Sequence, residues 1–139
     1  MKHACFQITQ KLFIRRGDRF LVLRDKKSGY GDLPGGRITE EEFFGSWTDS
    51  VKREITEELG EEFVVNVNPE PAFLYPHRVN LDDHPCLIIA YHADYVQGEP
   101  VISDEHDYMA WEELKTFRPE SLFSEYMLEA VKLYQEKFA

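Results

Sequence analysis

The chain has 139 residues, of which 42% are hydrophobic and 14% aromatic, enough apolar surface for a packed core and too much for a disordered chain. Its formal net charge is −10 at pH 7, with 26 acidic against 16 basic residues, which argues against non-specific binding to nucleic acid or an anionic membrane. A phosphorylated small molecule remains compatible with that charge, provided metal ions carry the opposing one.

The start, MKHACFQITQ, has no long apolar region and so no signal peptide is expected. The apolar run CLIIAY is far too short to span a bilayer, and the expected location is cytoplasmic, in one domain over residues 1–139. Cys5 and Cys86 are the only cysteines and are expected as buried thiols rather than a disulfide. FQITQKLFIRR and RFLVLRDKK read as two strands of a hairpin that turns at Gly17–Asp18. SGYGDLPGGR, with four glycines and a proline, reads as a loop.

Ser46 then caps a helix, with Asp49 at the third position of a capping box. Trp47, Val51, Ile55 and Leu59 recur every four residues as its buried stripe, and Gly60 stands where a left-handed cap would end it. EFVVNV, AFLYPHRV and CLIIAYHADYV follow as strands, the last apolar enough to be central. YMAW is a short strand, and EELKTF one helical turn. From about Glu120, the spacing of Phe123, Met127, Val131, Tyr134 and Phe138 predicts an amphipathic terminal helix. The order predicts an α+β fold, a mixed sheet with helices on its faces.

The chemistry lies in VKREITEELG, residues 51–60. Glu54, Glu57, Glu58 and the following Glu61 fall on one helical face, at about 100° per residue. Each close pair of like charges costs roughly 0.2–0.5 kcal/mol, so either water screens the stripe or a cation sits on it. The stripe borders the apolar stripe, which puts the carboxylates at the margin between helix and sheet. A partly enclosed set of oxygen ligands suits a hard cation such as Mg²⁺. Just upstream, LPGGR lets a ligand approach the backbone closely.

This pattern resembles the signature of the Nudix hydrolases, G-x5-E-x7-R-E-U-x-E-E-x-G-U, where U is a bulky aliphatic residue. Gly36 and Glu42 match its first part; Arg53, Glu54, Ile55, Glu57, Glu58 and Gly60 match its second. LPGG before the box, SDEH at residues 103–106, Trp111 and the strand order are also similar to the family. Two departures stand out. Ten residues rather than seven separate Glu42 from Arg53, so FFGSWTDSVK carries three extra, and Glu40 and Glu41 compete with Glu42 for its role. The last aliphatic position is Glu61, with Phe63 as the substitute packing group.

The resemblance implies an α/β/α sandwich of Nudix type and Mg²⁺-dependent hydrolysis of a diphosphate in a nucleoside diphosphate derivative, with Mn²⁺ as a second candidate ion. Nucleoside triphosphates, nucleotide sugars, ADP-ribose and dinucleoside polyphosphates all fit. Glu54, Glu57 and Glu58 are the implied metal ligands, Glu54 and Glu105 the candidate bases, and Arg53 the residue that orients the carboxylates. Gly35, Gly36, Arg37, Glu42 and Tyr30 are the candidate substrate-loop residues, and His77, Arg78, Asp83 and His84 further contacts. Dimers are common in the family, so a homodimer is a candidate state. Two rivals share the fold. One is a catalytically silent nucleotide sensor, which need not keep the glutamates. The other is a prenyl diphosphate isomerase, whose reactive loop cysteine Cys5 and Cys86 do not supply.

Overall fold

Strand β1 (Gln7–Arg16) is the spine of the sheet. Its residues 9–14 are all buried, as expected of a strand covered on both faces. The computed structural model, which describes residues 1–79 and 84–139, turns the chain through Gly17 at φ 61° into β2 (Arg19–Asp25), the hairpin read from the sequence.

The glycine-rich stretch is not all loop: it contributes two short strands, β3 (Gly31–Asp32) and β4 (Gly35–Arg37). They fill a fork. β1 pairs with β2 only beside the turn, at Arg15↔Phe20 and Arg16↔Arg19, while β4 pairs with β1 at residues 9–11. On its other edge β1 runs parallel to β7 (His84–Gln97) from Gln7↔Cys86 to Arg15↔Asp94. β5 (Val64–Val67) and β6 (Phe73–Val79) share the far edge of β7. β8 (His106–Glu113), longer than the predicted YMAW, lies antiparallel to β2.

Helix α2 (Trp47–Leu59) covers one face of this mixed sheet, where Val51, Ile55 and Leu59 pack on Leu12, Ile14, Leu21, Leu23, Ile89 and Tyr91. Helix α3 (Glu125–Phe138) covers the other, where Met127, Val131 and Tyr134 pack on Phe13, Phe20, Val22 and Ile88. The alternation of strand side chains between these clusters follows from the two-residue period of a strand. Phe63 is buried in the α2 layer.

Some expectations change. Cys5 is exposed, because it precedes β1 and no element covers it; Cys86 is buried. Gly60 ends α2 at φ 90°, ψ 159°, so it is an extended positive-φ residue rather than a left-handed one. α3 begins at Glu125 instead of Glu120, since Pro119–Ser121 forms a separate 3₁₀ turn. EELKTF splits between the end of β8 and a turn. Trp47 is only partly buried at the edge of the α2 layer, and Phe138 is exposed at the chain end.

The stretch before α2 also holds its own short helix, α1 (Glu40–Phe43). The capping box forms there: Thr39 Oγ1 accepts from Glu42 N–H and Glu42 Oε1 from Thr39 N–H. Trp47 Nε1–H donates to Phe43 O at 2.8 Å and ties the two helices. Ser46 caps α2 by accepting from Asp49 N–H at 3.3 Å. Ser46→Ala is expected to cost about 1 kcal/mol in a urea melt and leave turnover nearly intact. Lost turnover at unchanged stability would instead bring this segment into the active site.

Candidate active site

The site lies at the fork between β1 and β2. Gly35 sits at φ 134°, and its N–H donates to Glu58 Oε1 at 3.2 Å, so the loop docks on α2 through the backbone. A Cβ on Gly36 would lie 3.0 Å from Glu54 Oε2, and its absence lets Glu54 come against the loop. The two glycines therefore set how closely the acidic helix approaches the sheet.

Arg53 gathers the box carboxylates. Its Nη2 donates to Glu42 Oε2 at 2.7 Å and Glu54 Oε1 at 3.2 Å, and its Nη1 to Glu57 Oε1 at 2.9 Å. The bond from Arg53, with help from Thr39 N–H, holds the Glu42 carboxyl down at about 2. Glu42 thus reaches the box across the longer spacing because α1 carries it back over the N-terminal half of α2. Among the described residues, no three His, Cys, Asp or Glu side chains stand in a ready-made metal site.

The glutamates of α2 differ sharply in environment. Glu57 and Glu61 are exposed, Glu54 is half-buried, and Glu58 is 4% exposed. Burial pushes the Glu54 carboxyl up, and pushes that of Glu58 up to about 8 against the opposing pull of Lys11. Glu58 Oε2 is buried without a hydrogen-bond partner.

Three residues not singled out in the sequence complete the surroundings. Lys11 Nζ–H donates to Asp32 Oδ1 at 2.9 Å and Leu33 O at 3.2 Å, and His106 Nε2–H donates to Asp32 Oδ2 at 3.0 Å. Burial works against charge on all three. For Asp32, the Lys11 charge and the bonds from His106 and Lys11 outweigh it and hold the carboxyl well below its usual range. For Lys11, the charges of Asp32 and Glu58 outweigh it and raise the ammonium. A lysine inside an apolar strand was the available signal for this network; the partner of a buried cation is a matter of tertiary structure.

The remaining candidates are spread around the site. Glu105 is exposed, its carbonyl accepts from Lys26 N–H at 3.0 Å, and its carboxylate is not among those joined to Arg53. Its neighbours anchor that loop: Ser103 N–H donates to Glu58 O at 3.1 Å, and His106 reaches Asp32. Tyr30, Arg37 and His77 line a cleft of about 370 Å³ together with Lys11, Asp32 and Gly36. His77 and Arg78 lie in β6 and His84 in β7, not in a loop; Asp83 lies outside the described residues.

The carboxylates that α2 presents to Gly35 and Gly36 fit a divalent cation. The donor set is all oxygen, which suits Mg²⁺ or Mn²⁺. The unpartnered Glu58 Oε2 is a buried acceptor of the kind that a cation satisfies, and the missing Cβ of Gly36 lets the Glu54 carboxylate come in against the loop.

Comparison with known proteins bears on the family and the fold. The family model described as the NUDIX domain matches residues 7–136. A MutT protein from Methanosarcina mazei Go1 has a similar structure, with TM-score 0.75 and 23% identity, covering 95% of this chain and 94% of that one. A MutT NUDIX hydrolase from Burkholderia pseudomallei gives TM-score 0.70 and 21% identity over 98% of this chain and 100% of the other. An ADP-ribose pyrophosphatase from Streptococcus suis gives TM-score 0.61 and 20% identity over 94% and 90%. The search of curated proteins returns no match.

Proposed function

We propose, from the premise that this chain belongs to the NUDIX family, that it is a divalent-cation-dependent hydrolase that cleaves a diphosphate linkage in a nucleoside diphosphate derivative. The observation that carries this reading is Glu58, a carboxylate buried with one oxygen unpartnered beside Glu54. Without a cation such a group is a standing cost, which the bond from Gly35 N–H and the charge of Lys11 offset only in part.

In this reading Glu54, Glu57 and Glu58 hold Mg²⁺, with Mn²⁺ as its substitute. The bound ion would supply charge neutralisation at the diphosphate and a more acidic water. Gly35 N–H fixes one Glu58 oxygen and so aims the other. Arg53 holds Glu42, Glu54 and Glu57 together against their mutual repulsion. A carboxylate must take the proton from the attacking water, and Glu54 and Glu105 are the candidates. Glu54 is supported by its half-buried position and raised pKa. Glu105 would need its exposed loop to turn toward the site. Tyr30 and Arg37, on the cleft wall, are the candidate contacts for the rest of the substrate.

A panel of nucleoside triphosphates, nucleotide sugars, ADP-ribose and dinucleoside polyphosphates, each with Mg²⁺, tests the reading. ADP-ribose belongs in it because one similar fold is an ADP-ribose pyrophosphatase. Phosphate released only after added phosphatase indicates cleavage to a monophosphate. Binding without turnover across the panel would make the protein a silent sensor.

The metal has its own test. Ligand binding to the folded state alone stabilises by about 2.7 kcal/mol at a hundredfold excess over Kd. The melting midpoint is expected to rise on titration with Mg²⁺, and an unchanged midpoint at tens of millimolar Mg²⁺ counts heavily against the site.

A further inference from the structure

Lys11 is the only buried lysine or arginine among the described residues, and it lines the cleft. An ammonium in the middle of a central strand is costly unless paired and hydrogen-bonded. The pairing is present, through Asp32 Oδ1 and Leu33 O, but it uses two of the three N–H donors that a lysine carries. Asp32 cannot follow Lys11 if it moves, because Leu33 N–H and His106 Nε2–H also hold it, at 2.8 and 3.0 Å. The ammonium is therefore pre-aimed.

A purely structural ion pair would explain the bonds to Asp32 but not the place. Lys11 lines the cleft beside Gly36, and Gly36 backs directly onto Glu54. Two positions earlier on the same face of β1, Thr9 also lines the cleft; it is 5% exposed, and its Oγ1 is buried without a partner. One strand face thus carries the ammonium, with one N–H beyond those two bonds, on the cleft wall next to Gly36, the glycine that backs onto Glu54. Asp32 is the main charge that holds the Lys11 ammonium against burial, and the charges of Glu58 and then Glu54 act in the same direction.

We propose that Lys11 is a substrate-contacting residue whose third N–H donates to a phosphate oxygen of the diphosphate, across Gly36 from the carboxylates that hold the cation. This rests on the hydrolase reading above. A diphosphate carries more negative charge than one divalent ion neutralises, and Lys11 supplies a fixed positive charge on the side that the ion does not cover. A lysine serves this as a compact point charge.

The test uses methylenediphosphonate, which cannot be hydrolysed, and Mg²⁺, each followed by calorimetry. Lys11→Met breaks a buried ion pair and can unfold the chain, so the double variant Lys11→Met with Asp32→Asn, which removes both charges together, accompanies it, as does Lys11→Arg. With Mg²⁺ present, the double variant is expected to bind methylenediphosphonate about tenfold or more weakly than wild type, as for a lost charge-assisted hydrogen bond, and Lys11→Arg to keep most of the affinity. For Mg²⁺ alone, Lys11→Met, where folded, is expected to bind equally or more tightly, because a cation near the carboxylates has gone. Weaker anion binding without weaker Mg²⁺ binding is a pattern that a structural ion pair does not produce. A folded double variant with wild-type methylenediphosphonate affinity overturns the proposal and leaves the hydrolase reading intact. Equal loss of Mg²⁺ and methylenediphosphonate affinity overturns it in favour of a structural role. Wild-type protein that binds no Mg²⁺ overturns both.

Discussion

Glu58→Gln is expected to lower Mg²⁺-dependent turnover by about a hundredfold or more, because it removes one negative oxygen ligand at almost constant shape. The metal-free protein is expected to respond in the opposite direction. Burial holds the Glu58 carboxyl at about 8, above its ordinary value of 4.5. A group whose folded pKa is raised contributes its full stability below the unfolded pKa, and loses it as the pH climbs through the folded one. In chelator, wild type and Glu58→Gln are therefore expected to melt alike near pH 4. Above pH 8 the variant is expected to be the more stable, by on the order of 1 kcal/mol or more. Relief of the repulsion with Glu54, four residues earlier, acts in the same direction by roughly 0.2–0.5 kcal/mol. Melts across pH with and without Mg²⁺ measure both arms. A metal-free variant clearly less stable than wild type at pH 9 would make Glu58 a structural partner.

Gly35→Ala is expected to destabilise the protein by about 3 kcal/mol or more, the sum of backbone strain and overpacking. The residue sits at φ 134°, which side-chain-bearing residues rarely adopt, and the new Cβ would run into the backbone carbonyl of Gln10 in β1. Neither strand can yield without opening the β1–β4 pairing. Gly36→Ala makes the informative contrast. Its Cβ meets the carboxylate of Glu54, the far end of a flexible side chain, so stability is expected to change little. Turnover is expected to fall, because Glu54 must move off its place. Urea melts and turnover on both variants separate the two roles. An equal loss of stability in both would show that the loop tolerates no side chain at all and that the Glu54 contact is not selective.

The short-range features were legible because their causes are short-range. The hairpin at Gly17, the Ser46 cap, the apolar stripe of α2 and the one-sided carboxylates each depend on residues within a few positions, through turn chemistry and the periods of helix and strand. The same reasoning erred where neighbours far in sequence decide. Cys5 is chemically suited to burial, but nothing packs over it. The extra residues between Glu42 and Arg53 left Glu40, Glu41 and Glu42 as competitors for one role, and only the packing of α1 beside α2 brings Glu42 to Arg53.

What the sequence determined by itself was local: which carboxylates share a face, which glycines precede them, and that the stripe borders the core. What only the tertiary structure decided was their inequality. Glu54, Glu57 and Glu58 are the same residue on the same helix, yet one is half-buried, one exposed and one buried with an unpartnered oxygen. That difference arises because the β1–β2 fork admits Gly35 and Gly36 against α2 and sets Lys11, Asp32 and His106 behind them, residues up to 95 positions apart in the chain. Burial and long-range charge depend on distance in space, which helical periodicity does not encode beyond the helix itself.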